Sequence, residues 1–485
     1  MFNYKTKPYR HQEKALFDSH DKLNWAYFME MGCGKSKVLI DNAAWLYENK
    51  DLTTLVIIAP KGVYRNWVLK EIPAHMPDHI PYKVFTWYTQ TNKKKEQELW
   101  DAVKYTDGLR ILVMNIEAFA SAKAMRFLTD KFLRRDVSMI TIDESTTIKN
   151  PKAKRTKAMI GLRQEFTYAR ILTGSPVTQS PLDLFSQCAF LDEGLLNFHN
   201  FYAFQARYAI TRRQKMGTHS FDMIVGYRNL KELADKLKKF SSRVLKVDCL
   251  DLPDKTYTIR HVAMTPEQRK HYESIKHTAL TVIGDDMVTA PQAMTQLLRL
   301  QQVLSGYLPV EEDKYEKFET NRIKTLLEVL DEVTGKVIVW ARFVEDIRQI
   351  EDALKEKYGD NSTGSFYGAT KDEDREELVR EFQDVDSPVR FFIGNPQTAG
   401  YGLTLTSANN VVYYSNNFNL ENRMQSEDRC HRIGQNNPVT YVDLVVEDSV
   451  DEHIARVLQG KIKLASQALG EEMRQWLQVK EKVKI

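Results

Sequence analysis

A chain of 485 residues, 42% hydrophobic and 28% charged, has room for two or three domains with cores of their own, and its composition excludes a disordered or low-complexity polymer. The formal net charge of +4 is small for this length, so bulk charge names no partner, and clusters such as Lys93-Lys94-Lys95, Arg134-Arg135 and Arg212-Arg213 read as solvated faces. Cys33, Cys188, Cys249 and Cys430 stand far apart without CxxC or Cys/His spacing, which argues against a zinc site or a disulfide framework and for a reducing, cytoplasmic setting. No signal peptide is read, and no apolar run approaches the ~18 residues of a membrane span.

In chain order, Pro8-Tyr9-Arg10-His11-Gln12 leads into a helical pattern, and Trp25-Ala26-Tyr27-Phe28 reads as a buried strand. Met29-Glu30-Met31-Gly32-Cys33-Gly34-Lys35-Ser36 follows, and then Val38, Leu39, Asn42, Ala43 and Leu46 recur at helical spacing. Strand, glycine loop and helix is the context of a phosphate-binding loop. Gly32 and Gly34 let backbone N–H groups approach a polyphosphate, Lys35 reaches the β/γ-phosphates and Ser36 ligates Mg²⁺. The strict pattern has glycine where Met29 stands.

Apolar runs at 55–59, 110–114, 139–142 and 170–173 then alternate with helical stretches, the signature of a parallel α/β sheet whose ligands bind at the carboxyl edge. Between about 195 and 320 the alternation stops; aromatics such as Phe198, Phe201, Tyr202, Phe204 and Tyr208 and long helical patterns read as a helical insertion and linker. A second alternating series has strands at 336–340, 365–367, 390–393, 411–414 and 440–445, and after Val450 the pattern is helical. The expected organisation is an N-terminal lobe over 1–245 with its insertion from about 195, a second lobe over 246–460 with a helical start to about 320, and a helical tail over 461–485.

Asp143-Glu144 closes the run at 139–142, where a phosphate-loop NTPase places a Mg²⁺-binding Asp and an acid for the attacking water. Leu172-Thr173-Gly174-Ser175-Pro176 closes the next run and by itself is a turn.

Taken in order, these residues resemble the Swi/Snf-type ATPases of helicase superfamily two. Gln12 matches the family's adenine-reading glutamine, and Glu30 to Ser36 match its DEMGLGKT. Ala59-Pro60-Lys61 to Trp67 looks like its "CP…NW" motif, Asp143-Glu144-Ser145-Thr146-Thr147-Ile148-Lys149-Asn150 like DEAHRIKN with Ser145 and Thr146 for Ala-His, and Leu172 to Val177 like LTGTP and an aliphatic residue. Leu252-Pro253 to Tyr272 looks like the entry into the second lobe. Most specific are Thr398-Ala399-Gly400-Tyr401-Gly402-Leu403-Thr404-Leu405 and Gln425-Ser426-Glu427-Asp428-Arg429-Cys430-His431-Arg432-Ile433-Gly434-Gln435, whose RxHRIGQ ending is characteristic.

The resemblance covers about 8–458 and implies a small bacterial or viral-type member with two RecA-like parallel-sheet lobes, a helical insertion between them and a C-terminal helix. It implies ATP·Mg²⁺ in the interlobe cleft, with Arg10 and Gln12 at the base, the segment Met31, Gly32, Cys33, Gly34, Lys35 and Ser36 on the phosphates, Ser36 and Asp143 on the metal, Glu144 activating water, Arg429 and Arg432 as arginine fingers, and Gly402 near the γ-phosphate. It further implies a monomer moving on double-stranded DNA, without a membrane partner and with protein partners unspecified. The DNA contacts fall near Lys61, Trp67, Asn115, Tyr367, Gly368 and Thr398, and Phe418 stands where the family writes Trp-Asn-Pro, as a wedge against the duplex or a core residue. A strand-separating helicase of the same superfamily and a non-enzymatic DNA-binding scaffold are the alternatives.

Overall fold

Two parallel sheets organise the chain, and each follows from short β-branched or aromatic runs that become buried on both faces. The structure, a computed structural model, describes all residues except 1, 62, 89–91, 121, 134–136, 217–218, 285–289, 312–313, 371, 400–402 and 473–485. The Arg134-Arg135 cluster and Gly402 therefore lie outside the described residues. The chain forms two compact units. One holds the residues up to Ile210, Ile224–Asp251 and a segment from Leu464; the other holds Thr211–Met223 and Leu252–Lys463.

The first unit contains β1 (Asn24–Met29), β2 (Leu52–Ala59), β3 (Tyr82–Thr86), β4 (Leu109–Asn115), β5 (Val137–Asp143), β6 (Tyr168–Leu172) and, beyond the hairpin β7 (Ala209–Met216) and β8 (His219–Tyr227), the short strand β9 (Ser241–Val244). Seven of these form one sheet in the order β3-β4-β2-β5-β6-β1-β9. Every pairing in it is parallel. Helix α1 (Arg10–Ser19) precedes β1 and helix α2 (Lys35–Lys50) follows it. The interior strand β2 buries Leu55, Val56, Ile57 and Ile58 completely, each worth about 1.5–3 kcal/mol.

Burial in this sheet is not purely apolar. Arg170 on β6 is fully buried, and its guanidinium donates to Asn42 Oδ1 (2.9 Å) and to the carbonyls of Leu23, Ala169, Ser19 and Lys22 at 2.8–3.1 Å. It fastens β6 to the α1–β1 turn and so fixes the strand that lies between the two catalytic candidates described below. A buried charge is tolerated when its donors are saturated in this way.

The second unit contains β10 (Lys255–Val262), the hairpin β11 (Tyr307–Glu311) and β12 (Lys314–Lys317), β13 (Lys336–Trp340), β14 (Thr363–Phe366), β15 (Phe391–Gly394), β16 (Ala408–Tyr413) and β17 (Val439–Val446). Its six-stranded sheet runs β10-β17-β16-β13-β15-β14, again wholly parallel. The helix Val450–Leu469 follows β17. No helix among the described residues is long and apolar enough to cross a membrane.

The stretch 195–320, expected to be helical, carries helices such as Phe201–Tyr208, Pro266–Gly284 and Ala290–Leu304, but it also supplies β9 and β10 to the two larger sheets and forms two separate two-stranded sheets, β7 with β8 and β11 with β12. These strands lie at the edges of the larger sheets or outside them. β10 reads Lys-Thr-Tyr-Thr-Ile-Arg-His-Val and keeps only its last residue buried, so it has no continuous apolar run to announce it.

Candidate functional site

In the first sheet β5, β6 and β1 are adjacent, with Asp143 opposite Leu172 and Leu172 opposite Tyr27. Their carboxyl ends therefore bring three segments together: the phosphate-type loop after β1, Asp143-Glu144 at the end of β5, and Thr173-Gly174 after β6.

The loop is shaped by its glycines. Gly32 (φ +87°) and Gly34 (φ +81°) occupy the left-handed region, and Gly34 leads directly into α2. A Cβ on Gly34 would stand 2.1 Å from Gln12 Nε2. Gln12 is buried against this loop; its Nε2 donates to the Cys33 carbonyl (3.3 Å), its Oε1 accepts from Tyr9 N–H (3.0 Å), and His11 Nε2 meets the same carbonyl at 2.9 Å. Gly174 lies on the other side, where a Cβ would come within 3.3 Å of Met31 N. The loop is thus braced by α1 and by the turn after β6. At the N-terminus of α2 the first-turn amides lack intrahelical acceptors, which with the helix dipole favours an anion. Lys35 lies here, donating to the Glu30 carbonyl at 3.4 Å, and Met31 and Ser36 are half-buried beside it. Arg10 is exposed at the start of α1.

Asp143 is buried. Its Oδ2 accepts from the indole Nε1–H of Trp67 (2.8 Å), and its Oδ1 from the Glu144 amide (3.0 Å). Burial pushes its carboxyl up from the usual range, opposed by the Trp67 hydrogen bond and the Lys35 charge. Glu144 sits at φ +50°, rare for a residue with a Cβ, and its Oε2 accepts from Thr173 Oγ1 (3.3 Å), which in turn accepts from Ser175 N–H (3.2 Å). The donor set suits ATP·Mg²⁺: glycine amides and Lys35 for phosphates, and the hydroxyl of Ser36 with the Asp143 carboxylate, hard oxygen ligands, for magnesium.

A second layer covers the loop from beyond β9. Lys246 N–H donates to Glu30 Oε2 (2.8 Å), and Cys249 Sγ lies 3.5 Å from Cys33 Sγ, both thiols free. Burial and the neighbouring Cys249 push the Cys33 thiol far up, which keeps it protonated. No sequence pattern announces Lys246 or Cys249.

In the second unit Arg429 and Arg432 both donate to the Leu403 carbonyl, at 3.3 and 3.1 Å. Arg429 is 1% exposed and also donates to the Gln425 carbonyl (3.0 Å), whereas Arg432 is half-buried. The two residues expected as equivalent fingers are therefore different: Arg429 braces the segment beside Gly402 from inside, and Arg432 is the one closer to solvent.

The expected DNA contacts divide as well. Lys61 is exposed just after β2, Gly368 is exposed and Thr398 half-buried, each beyond the carboxyl end of a strand. Asn115 ends β4 and caps the following turn by accepting from Ala118 N–H (2.8 Å). Tyr367 is half-buried against the second core. Trp67 corrects the expectation: at 1% exposure it offers no surface to DNA, and its indole holds Asp143 instead. Phe418 is half-buried, packs on the second core and meets His453 edge-on at 5.9 Å, while its carbonyl accepts from Lys461 Nζ. This placement favours the core role over a wedge.

The chain matches two family models: the SNF2-related domain over residues 18–306 and the helicase conserved C-terminal domain over 321–434. It is 25% identical over 450 residues to an uncharacterized ATP-dependent helicase of Mycoplasma genitalium, covering 92% of this chain and 40% of that one. It is 27% identical over 463 residues to the transcription regulatory protein SNF2 of Saccharomyces cerevisiae, covering 91% and 26%. The chain thus spans less than half the length of either relative. A solved SWI2/SNF2 ATPase core of Sulfolobus solfataricus in complex with dsDNA is 23% identical, with 97% of this chain and 95% of that chain covered at a TM-score of 0.42.

Proposed function

Because the chain belongs to the SNF2-related family of helicase-type ATPases, we propose that it hydrolyses ATP·Mg²⁺ in a cycle stimulated by duplex DNA and moves along double-stranded DNA. The observation that carries the reading is the meeting of the braced glycine loop, Asp143 and the Thr173-held Glu144 at one sheet edge.

In this reading Lys35 and the α2 amides neutralise the phosphates, Ser36 and Asp143 hold the metal, and Glu144 takes the proton of the attacking water. Magnesium supplies Lewis-acid polarisation of the phosphoryl oxygens. Arg432 is assigned to the charge that develops at the γ-phosphate, with Arg429 supporting its segment. DNA contacts are assigned to Lys61, Asn115, Tyr367, Gly368 and Thr398, which carry no sequence code where they touch phosphates.

The test is ATP turnover with and without duplex DNA. The parent should be stimulated by the duplex, and Lys35→Ala should lose turnover while keeping its fold by circular dichroism. Turnover in Lys35→Ala equal to the parent would overturn the nucleotide assignment. A forked substrate that comes apart under the same conditions would replace duplex translocation with strand separation.

A further inference from the structure

Against the glycine loop two thiols touch. Cys33 Sγ and Cys249 Sγ are 3.5 Å apart across 216 positions of chain, and both residues belong to the first compact unit. Cys33 is fully buried between Gly32 and Gly34, and Cys249 is half-buried at the end of the short helix Lys246–Cys249. Among the described residues no other two cysteines meet in this way. Cys188 and Cys430 are buried, and Cys430 Sγ faces the Glu427 carbonyl and the Tyr441 hydroxyl.

Both sides of the contact are held in place. The Cys33 amide donates to the Glu30 carbonyl (3.1 Å), and its own carbonyl accepts from Gln12 and His11. Opposite, the Lys246 amide donates to the Glu30 carboxylate, the Leu250 amide donates to the Lys246 carbonyl (2.8 Å), and Cys249 Sγ lies 3.1 Å from the Leu245 carbonyl. The DEMGLGKT pattern has leucine where Cys33 stands, so a phosphate cradle uses the backbone at this position and has no need of a thiol.

Bonded sulfurs lie about 2.05 Å apart, so closing this contact takes about 1.5 Å of movement. The oxidant class that fits is a peroxide, small enough to reach a half-buried thiol. The Cys249 thiolate attacks one peroxide oxygen and breaks the O–O bond; that oxygen stays on sulfur as a sulfenic acid, and the other leaves as hydroxide and takes up the proton that Cys249 gave. The Cys33 sulfur then attacks the Cys249 sulfur, the S–O bond breaks, and the hydroxyl leaves as water with the Cys33 proton. Two thiols lose two electrons and two protons, and one peroxide becomes two waters. A dithiol reductant reverses the step by exchange. Burial raises the Cys249 thiol, with the Cys33 hydrogen bond and the Lys246 charge acting against it, so the thiolate is a minor species and the pair answers sustained exposure, not a brief pulse.

We propose that Cys33 and Cys249 are a peroxide-sensitive pair whose reversible disulfide switches off the nucleotide site. The cross-link stands on the thiol contact alone, and its effect on turnover rests on the ATP reading above. Drawing Cys33 toward Cys249 shifts the loop between Gly32 and Gly34, so turnover should fall about 10²-fold, the cost of misplacing a positioned group by about 1 Å.

The test exposes the folded parent to hydrogen peroxide, blocks the remaining thiols with N-ethylmaleimide, and maps the peptides by mass spectrometry beside an ATP turnover assay. The expected map has Cys33 joined to Cys249 with Cys188 and Cys430 still reduced, and dithiothreitol restores both the thiols and the turnover. Cys249→Ala and Cys249→Ser, each checked by thermal melt, should turn over ATP like the reduced parent and keep that rate after peroxide. A map without the joined peptide, in a parent left folded under prolonged exposure, overturns the pair. A joined peptide with turnover unchanged overturns the switch, and so does an equal loss of turnover in the Cys249 variants, which would place the damage at another residue. If the reduced parent hydrolyses no ATP, the nucleotide reading fails by itself, and the peptide map then decides the cross-link alone.

Discussion

The indole N–H of Trp67 donates to Oδ2 of Asp143 across 2.8 Å, with both side chains buried. The carboxylate assigned to magnesium is therefore held from behind by a residue 76 positions earlier, leaving the oxygen that accepts from Glu144 N–H on the other side. Such outer contacts orient a ligand and set how readily it meets the metal. Trp67→Phe keeps the ring in the core but strands a buried acceptor, a loss of about 1–3 kcal/mol in unfolding free energy. The variant should need more Mg²⁺ to bind a fluorescent ATP analogue, with Mg²⁺-free nucleotide affinity and duplex affinity at the parent level. An unchanged Mg²⁺ requirement would refute the orienting role.

Thr173 and Glu144 form the second such pair, joining the turn after β6 to the proposed general base. Glu144→Gln should still bind ATP·Mg²⁺ and should lose turnover by about 10²–10⁴, the usual worth of a positioned base. Thr173→Val keeps shape and burial but loses the hydroxyl that donates at 3.3 Å and that Ser175 N–H bonds. Its kcat should fall with KM for ATP little changed. A drop in nucleotide affinity equal to the drop in kcat would place Thr173 in the fold of the loop instead.

Much of this was legible in the sequence, for identifiable reasons. Strands buried on both faces are written as apolar runs, so β1, β2, β4, β5, β6, β13 and β16 were each marked to within a few residues. The glycine loop and the Asp143-Glu144 pair were marked by residue types that their chemistry requires. What escaped was relational. β3 and β10 are edge strands that mix polar and apolar residues without a continuous apolar run, and β9 is four residues long. Trp67 stands among the DNA contacts only through the family resemblance, and the π-helical turn over Trp67–Glu71, with its side chain buried, is not written in any local pattern. The bracing of the loop by Gln12, Gly174 and Lys246 depends on packing across up to 216 positions, which no local pattern records.

Arg429 and Arg432 share the Leu403 carbonyl but differ in exposure, so their alanine variants should separate. Arg432→Ala should lose most DNA-stimulated turnover, toward the 10³-fold end of what an arginine finger contributes, with a melting temperature near the parent. Arg429→Ala should unfold more easily by about 1–3 kcal/mol, because the Leu403 and Gln425 carbonyls lose a buried charged donor. Urea denaturation read beside ATP turnover checks both. Equal stability of the two variants would mean that Arg429 is not a brace.

Glu427 gives the second unit a specific acid sensitivity. Its carboxylate is buried, which alone would raise its pKa, but the Lys255 and Arg423 charges and the hydrogen bonds from Arg423 and Tyr257 outweigh that and hold it at about 2. The folded value lies below the value of an unfolded glutamate, so the unfolded chain binds more protons in the intervening window. The stabilisation is therefore complete above about pH 4.5 and is lost as pH falls toward 2, on the order of 3 kcal/mol in all. Glu427→Gln should be less stable than the parent at pH 7, since Arg423 keeps Asp443 but loses its second carboxylate, and its stability should decline less between pH 4.5 and 2. Urea unfolding at pH 7, 4.5 and 3 measures both effects. Parallel pH profiles for parent and variant would show that Glu427 is not the group protonated on acid unfolding.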